Sequence, residues 1–181
     1  MNAVVQPAQE PRLTSDGAGR RTRLRQYQVQ LLERMQAARN NASARVNQLG
    51  VMIGPERFLL DLTQIGEIVP VPSVTVVPLT QSWYLGLANI RGNLISVIDL
   101  ARYNGQSETA LGSDSRIITF ASGLGFNCGL LVARVYGLRH AAGMEASDNS
   151  SDRLRDADAN EWTPLDLAAL VRDTRFLHVG F

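Results

Sequence analysis

The pattern of hydrophobic and polar positions divides the chain into three regions. Residues 1–20 are mostly small and polar with scattered Pro and Gly, which predicts a disordered tail. Residues 21–45 contain neither Gly nor Pro, and their apolar side chains recur at steps of three and four, which predicts an N-terminal helical extension. Across residues 46–181, short apolar runs are separated by turn residues, which predicts a mainly β domain.

The predicted N-terminal helix carries one apolar stripe, made of Leu24, Tyr27, Leu31, Met35 and Ala38. Two interpretations of this stripe are open: it covers a sheet face of the β domain, or it docks on a partner protein. Four arginines between residues 20 and 25 raise a third idea, phosphate binding. The cluster is short and lacks interleaved aromatic residues, and the whole chain has a net charge of only +1, so we predict no nucleic-acid partner.

Apolar runs within the β domain predict its strands, near residues 51–53, 58–62, 65–70, 74–77, 85–90, 94–99, 116–121, 126–132 and 134–138. A loop over residues 101–115 would cross between two lobes and give two small barrels packed side by side. Residues 145–161 are almost wholly polar and predict a solvated loop. After them, residues 162–170 predict a short strand or turn that leads into a helix, with Asp166 near its start.

A charged corner separates the apolar runs at 85–90 and 94–99. Gly92 and Asn93 supply the residue types that most easily adopt positive φ in a tight hairpin turn, and Arg91 precedes them. A guanidinium held at a turn stays charged at physiological pH and offers a planar fork of donors to a carboxylate or to carbonyl groups. The corner therefore predicts a docking feature and not a reactive one.

The residue types that could carry catalysis or bind a metal do not form a recognisable site in the sequence. Cys128 is the one cysteine, so neither a disulfide framework nor a multi-cysteine metal site is expected. His140 and His178 lie far apart without ligand spacing, and no motif positions a nucleophile beside a base. We predict a chain that is not an enzyme and has no metal and no cofactor. Because no apolar run approaches the roughly 18 residues of a membrane span, we expect a cytoplasmic protein without direct membrane insertion.

The stretch from residue 86 to 100 has a recognisable order: a Gly, a short apolar run, Asn-Ile-Arg-Gly, and a second apolar run that ends in Ile-Asp-Leu. This pattern resembles the signature of CheW-like chemotaxis coupling domains, and the runs at 58–62, 65–70, 116–120 and 129–132 match the same family. The pair Trp83-Tyr84 and the ending from Trp162 look most like the PilI type, which belongs to chemosensory systems of twitching motility. The resemblance covers roughly residues 50 to 181.

The resemblance implies a fold of two intertwined, small, SH3-like β-barrels with a shared apolar centre, to which this chain would add an N-terminal helix and a short C-terminal helix. It also implies a non-enzymatic adaptor that couples the cytoplasmic tip of a methyl-accepting chemoreceptor to the regulatory domain of a CheA-like histidine kinase. Such a protein would be cytoplasmic and associated with membrane receptor arrays, and it would control twitching by type IV pili. Two alternatives are an adaptor of flagellar chemotaxis and a structural spacer module of an array.

The chain departs from the family after residue 138, where a further apolar strand is usual and residues 145–161 are polar instead. We therefore regard the C-terminal part of the domain as divergent. Either another segment supplies the missing strand, or one sheet edge stays open to a partner.

The predicted partner site is an apolar groove with a charged rim. Its apolar lining would be Ile65, Val69, Leu87 and Leu131, and its rim charges would be Glu67 and Arg91. The resemblance aligns Ile65, Glu67 and Arg91 with positions that CheW-like proteins use for receptor or kinase contact. The competing interpretation of the two charges is a surface salt bridge worth less than about 1 kcal/mol. Three glycines, Gly86, Gly92 and Gly129, are expected to serve backbone geometry, with direct partner contact as the alternative.

Overall fold

A computed structural model describes residues 48–147 and 150–181 of the chain. The tail predicted for residues 1–20 and the helical extension predicted for 21–45 lie outside the described residues. The strands are β1 (Gln48–Ile53), β2 (Glu56–Asp61), β3 (Ile65–Pro70), β4 (Val74–Thr75), β5 (Tyr84–Ile90), β6 (Asn93–Ile98), β7 (Arg116–Phe120), β8 (Cys128–Val132), β9 (Arg134–Arg139), β10 (Glu145–Ser147), β11 (Ser150–Arg155) and β12 (Glu161–Leu165). Three short helices are α1 (Leu100–Tyr103), α2 (Leu167–Leu170) and α3 (Thr174–Leu177).

The strands form two six-stranded sheets, which confirms the mainly β prediction. The first sheet has the order β10-β11-β12-β2-β1-β9, and the second has the order β3-β7-β8-β6-β5-β4. Each sheet contains one parallel pair, β12 with β2 and β6 with β8, while its other pairs are antiparallel. Each of the nine predicted strands corresponds to one of β1 to β9, with bounds that differ by a few residues at most.

An inter-sheet core joins the two sheets. On β7, Ile118 and Phe120 belong to this core together with Val51 and Leu60 of the first sheet. Ile117, which directly precedes Ile118, belongs to a separate aliphatic cluster on the opposite face of the second sheet. The members of this aliphatic cluster are Ala88, Ile90, Ile95, Val97, Ile117 and Leu131. Because both faces of β7 and β8 are covered, these central strands are apolar at most positions.

The first sheet has a different interior, centred on Trp162, of which only 1% is exposed. The indole lies over Gly50, where an added Cβ would come within 2.8 Å of the ring. Tyr136 meets it edge-on with ring centroids 5.6 Å apart, and the guanidinium groups of Arg57 and Arg139 lie 5.9 and 5.1 Å from its centre. We call these five residues the Trp162 cluster.

The prediction of a solvated loop over residues 145–161 is wrong, because β10, β11 and the start of β12 lie there. These strands form one margin of the first sheet, where a face toward water needs no apolar residues. Their polar side chains are paired: Arg153 lies 3.2 Å from Glu161 and 3.5 Å from Glu56. Trp162, which directly follows this polar stretch, supplies the large buried apolar side chain on this side of the first sheet.

The predicted short strand followed by a helix is confirmed by β12 and α2. The carboxylate of Asp166 caps α2 by accepting from the backbone N of Ala168 at 2.9 Å. Asp99 caps α1 in the same way and also accepts from Thr109, inside the loop predicted for residues 101–115. Among the described residues, no helix is both long and apolar enough to cross a membrane.

Candidate functional site

The charged corner of the sequence is a two-residue hairpin turn between β5 and β6. Ile90 pairs with Asn93, so the central residues are Arg91 and Gly92, with φ of 52° and 86°. The sequence placed Gly92 and Asn93 at this turn, and the structure shifts it back by one residue. The side chain of Asn89 closes the turn by accepting from the backbone N of Gly92 at 2.8 Å. Asn89 thus has the local bonding role that Asn often has in turns.

Arg91 therefore occupies the left-handed region, which most non-glycine residues adopt at a cost of roughly 1–2 kcal/mol. A backbone outlier of this kind at an exposed position is a reason to look for a role beyond folding. The side chain is 75% exposed, so packing does not account for an arginine here. We call residues 89–93 the Arg91 turn.

Arg91 and Glu67 are brought together by the fold. The Nε atom of Arg91 lies 3.0 Å from a carboxylate oxygen of Glu67, whose side chain is 44% exposed. Glu67 belongs to β3, and β7 and β8 separate β3 from β6 in the order of the second sheet. The ion pair therefore connects one edge strand to the turn of the β5–β6 hairpin, which requires a strongly curled sheet.

The position of Glu67 is fixed by an irregularity in β3. The register between β3 and β7 shifts between Ile65 and Ile68, and the backbone N of Glu67 donates to the hydroxyl of Thr119 at 2.7 Å. Gly66 makes this possible, since an added Cβ would come within 2.8 Å of the same hydroxyl. The sequence analysis selected neither Gly66 nor Thr119. The sequence Ile-Gly-Glu, which interrupts an apolar run, could have indicated a β-bulge at this position.

The four apolar residues predicted for the groove do not line one surface. Leu131 is only 3% exposed and lies inside the aliphatic cluster, against which Val69 packs. Ile65 packs instead on the inter-sheet core, which lies on the opposite face of the second sheet. Leu87 is half-buried and belongs to neither cluster. The structure therefore does not bring these four residues together on one surface. Partner contact stays a prediction for each of the selected residues, which are Ile65, Glu67, Val69, Leu87, Arg91 and Leu131.

Apolar surface next to the Arg91 turn is supplied by a residue that the sequence analysis did not select. Leu94 pairs with Asn89 across the hairpin and is 59% exposed. Because side chains alternate along a strand, Leu87 and Asn89 on β5 share a face with Leu94 on β6. The surface at the turn thus combines an exposed ion pair with an apolar patch, as partner surfaces commonly do.

The three selected glycines each meet a distinct requirement. Gly86 has φ of 131°, and an added Cβ would collide with the carbonyl oxygen of Thr75 on the neighbouring strand. Gly129 lets β8 pass close to Ile117, whose Cγ2 would lie 2.6 Å from an added Cβ. Gly92 has open space around it, so its positive φ is the reason for glycine there.

Reactive chemistry is not apparent in the described part of the chain. No three side chains of the His, Cys, Asp or Glu types are grouped there as a metal site would need. Burial raises the pKa of Cys128 to about 11, so its thiol is protonated at neutral pH and is a poor nucleophile. His178 follows α3 as its C-cap and has a ring nitrogen 3.1 Å from the carbonyl oxygen of Thr174 in that helix.

Comparison with known proteins agrees with this geometry. The CheW-like domain family matches residues 48–159, which include the whole second sheet, the first sheet except β12, and the Arg91 turn. The chain is 29% identical to Protein PilI of Pseudomonas aeruginosa over 92 residues, or 51% of each protein, so the match spans about half of that relative. It is also similar in structure to the scaffolding protein TtCheW of Thermoanaerobacter tengcongensis, with a TM-score of 0.56 and 24% identity over 67% of this chain and 88% of the other. This last likeness concerns the fold alone.

Proposed function

Because the chain belongs to the CheW-like domain family, we propose that it is a non-enzymatic adaptor that couples a chemoreceptor to a CheA-like histidine kinase. The observation that carries this proposal is the family match over residues 48–159, which includes the exposed Arg91 turn. An adaptor of this kind needs no reactive group. It needs two surfaces on one rigid body, so that movement of one partner biases the other.

The inter-sheet core supports the rigid-body requirement. Residues from both sheets are fully buried in it, among them Val51, Ile53, Ile118 and Leu130. Displacing one sheet against the other would expose these side chains, at about 1.5–3 kcal/mol for each. A force applied at one sheet is therefore transmitted to the other and is not absorbed by a hinge.

The Arg91 turn is the surface that we assign to a partner. Its ion pair with Glu67 is exposed, so it contributes at most about 1 kcal/mol to folding. Both charges are accessible to a third group, and Leu94 offers apolar area beside them. Charge would fix the orientation of the partner and apolar contact would add affinity.

The adaptor role is tested by assembling the complex from purified components. The full chain is mixed at micromolar concentration with the regulatory domain of a CheA-like kinase and with a receptor cytoplasmic fragment from the same genome. We expect each partner to bind alone, and all three to elute together in size-exclusion chromatography. If the chain captured neither partner, the adaptor proposal would be wrong. Capture of the kinase domain alone would favour a structural spacer.

A role in twitching motility is the finer part of the proposal, and similarity to PilI supports it. The protein would then be located in the cytoplasm beside membrane receptor arrays. Disruption of its gene in the native organism is expected to shrink twitching zones under agar and to leave flagellar swimming unchanged. Loss of chemotactic swimming with normal twitching would instead assign the protein to flagellar chemotaxis.

A further inference from the structure

The two sheets share one strand arrangement. Read from β3, the second sheet has the order β3-β7-β8-β6-β5-β4, and the first sheet, read from β9, has the order β9-β1-β2-β12-β11-β10. In each sheet the third and fourth strands form the one parallel pair, β8 with β6 and β2 with β12. In each sheet a register shift also interrupts the pairing of the first two strands. The same arrangement is therefore present twice.

The amino-acid sequence repeats in step with these strands. β6 is followed by the sequence Asp-Leu-Ala at residues 99–101, and β12 is followed by the same sequence at residues 166–168. In both places the Asp caps a short helix by accepting from the backbone N of the Ala. The chain thus divides into a first half, residues 48–103 with β1 to β6, and a second half, residues 116–181 with β7 to β12.

Neither half contains a complete sheet. The first sheet takes β1 and β2 from the first half and β9 to β12 from the second half, whereas the second sheet takes β3 to β6 from the first half and β7 and β8 from the second. Four strand pairs therefore join the halves: β1 with β9, β2 with β12, β3 with β7, and β6 with β8. The covalent connection between the halves is the segment 104–115.

This connecting segment is anchored at both ends and exposed between its anchors. The hydroxyl of Thr109, a residue that is 3% exposed, donates to the carboxylate of Asp99 in the first half at 2.7 Å. Asp114 lies 2.7 Å from Arg134 in the second half. Residues 110–113 lie between these anchors and are exposed. They are the part of the segment that can change its path without uncovering buried side chains.

We propose that this chain exchanges halves with a second copy of itself. In the exchanged dimer the first half of each chain pairs with the second half of the other, so all four strand pairs are kept and residues 110–113 act as the hinge. Exchange of identical elements is a low-cost route to a dimer, because it needs no new complementary surface. Since both sheets must open before the halves can separate, exchange occurs during folding at high protein concentration and not between folded monomers.

A disulfide between the halves reports this exchange. Ser96 on β6 and Cys128 on β8 are register partners in the parallel pair. Neighbouring strands lie about 4.8 Å apart, within the usual Cα–Cα range of a disulfide. One full-length variant carries Ser96→Cys and Cys128→Ala, and it is paired with the unchanged chain, whose one cysteine is Cys128. A disulfide that joins the two chains then requires β6 of the variant to lie beside β8 of the unchanged chain.

The two chains are unfolded in urea, mixed, refolded with a reductant at micromolar or near-millimolar concentration, and then oxidised. On a non-reducing gel we expect at least fivefold more of the linked pair from the higher concentration. Chains that are refolded separately and then mixed are the control, and they should give no linked pair because Cys128 is buried. Equal linkage in this control would show that the disulfide forms without exchange and would overturn the proposal.

The geometry of the disulfide has its own control, a single chain with Ser96→Cys that keeps Cys128. This chain should form the disulfide internally. If it does so while the mixed chains stay unlinked, the exchange is wrong.

Light scattering of the refolded wild-type chain gives a second measurement that needs no cysteine. We expect a monomer at low concentration and a mixture of monomer and dimer at high concentration, and a monomer alone at both would overturn the exchange. Deletion of residues 110–113 should raise the dimer fraction at least threefold, since a short hinge strains the monomer. An unchanged dimer fraction in this variant would contradict the assignment of the hinge.

Discussion

The two sheets fill their interiors in opposite ways. The aliphatic cluster of the second sheet is shared among six side chains of modest size, drawn from four strands. The Trp162 cluster of the first sheet depends on one indole, supported by Gly50 beneath it and by two arginines on its ring. A sheet can therefore be closed either by many interchangeable aliphatic residues or by one large aromatic residue. The second solution allows β10 and β11, at the margin of the sheet, to be largely polar.

The largest loss of stability is expected from removing the indole of Trp162, which fills the centre of the Trp162 cluster. Trp162→Ala should lower the free energy of unfolding by about 3–5 kcal/mol, because it leaves a cavity where the ring is 1% exposed. Ile117→Val, which removes one methyl group from the aliphatic cluster, should cost only about 0.5–1.5 kcal/mol. Urea unfolding measures both variants. Equal losses would show that the two interiors do not differ as described.

The next largest loss of stability is expected where two backbone segments of the second sheet approach each other closely, at Gly86. Gly86→Ala forces a methyl group onto the Thr75 carbonyl at a positive φ, and we expect a loss of about 3 kcal/mol or more in unfolding free energy. Gly112→Ala is the matched control, because nothing lies within 4 Å of an added Cβ there. Its melting temperature should stay within about 2 °C of wild type, since open surface positions change stability little. A harmless Gly86→Ala would contradict the packing at β4 and β5.

A smaller effect is expected at the Arg91 turn, where function and stability should separate. Arg91→Gly relieves the left-handed conformation and loses an exposed ion pair, so its unfolding free energy should stay within about 1 kcal/mol of wild type. Its affinity for the kinase regulatory domain should fall at least tenfold. A variant that is destabilised by more than 2 kcal/mol in urea unfolding would instead make Arg91 a folding residue.

The smallest effect on stability is expected at low pH, where Asp156 beside the Trp162 cluster becomes protonated. Burial raises the pKa of Asp156, but hydrogen bonds from the Trp162 indole, from Asn160 and from the backbone of residue 158 outweigh it, so the pKa lies below its usual value. A carboxyl whose pKa falls on folding stabilises the fold above its unfolded pKa, about 3.9, and this contribution is lost as pH falls through the folded pKa.

Asp156→Asn should therefore reduce the loss of stability between pH 5 and pH 2, measured by urea unfolding at each pH. Asp173→Asn is the control outside the first interior, since the pKa of Asp173 is lowered by a hydrogen bond from the Tyr103 hydroxyl. In a Trp83→Phe background, which leaves Trp162 as the one tryptophan, its fluorescence should change with pH in the parent and in the Asp173 variant, and less in the Asp156 variant. An equal pH-dependent change of fluorescence in all three proteins would show that Asp156 is not its cause.

Sequence patterns predicted the second sheet better than the first, for a physical reason. Strands such as β7 and β8 are covered on both faces, so their apolar runs are visible in the sequence. β10 and β11 carry polar side chains, and their pairing depends on contacts with residues far along the chain, such as Arg153 with Glu56. Composition alone therefore assigned them to a loop.

The candidate site was predictable in part. The exposed charge of Arg91 and the short turn around it followed from local sequence, although the turn is one residue earlier than expected. The ion pair between Arg91 and Glu67 depends on how far the second sheet curls, and no local sequence pattern indicates this curvature. The burial of Leu131 was missed for a similar reason: in a strand covered on both faces, apolar character does not reveal which residue meets a partner.

The most direct test of the adaptor account is a charge exchange at the Arg91 turn. The double variant Glu67→Arg with Arg91→Glu retains an ion pair between the two positions, so its urea midpoint should match wild type. Isothermal titration with the kinase regulatory domain and with the receptor fragment should show at least a tenfold loss of affinity for one of them. Arg172→Glu, an exposed arginine without an ion pair among the described residues, should bind both as wild type does. Full affinity of the exchanged variant for both partners would contradict the account.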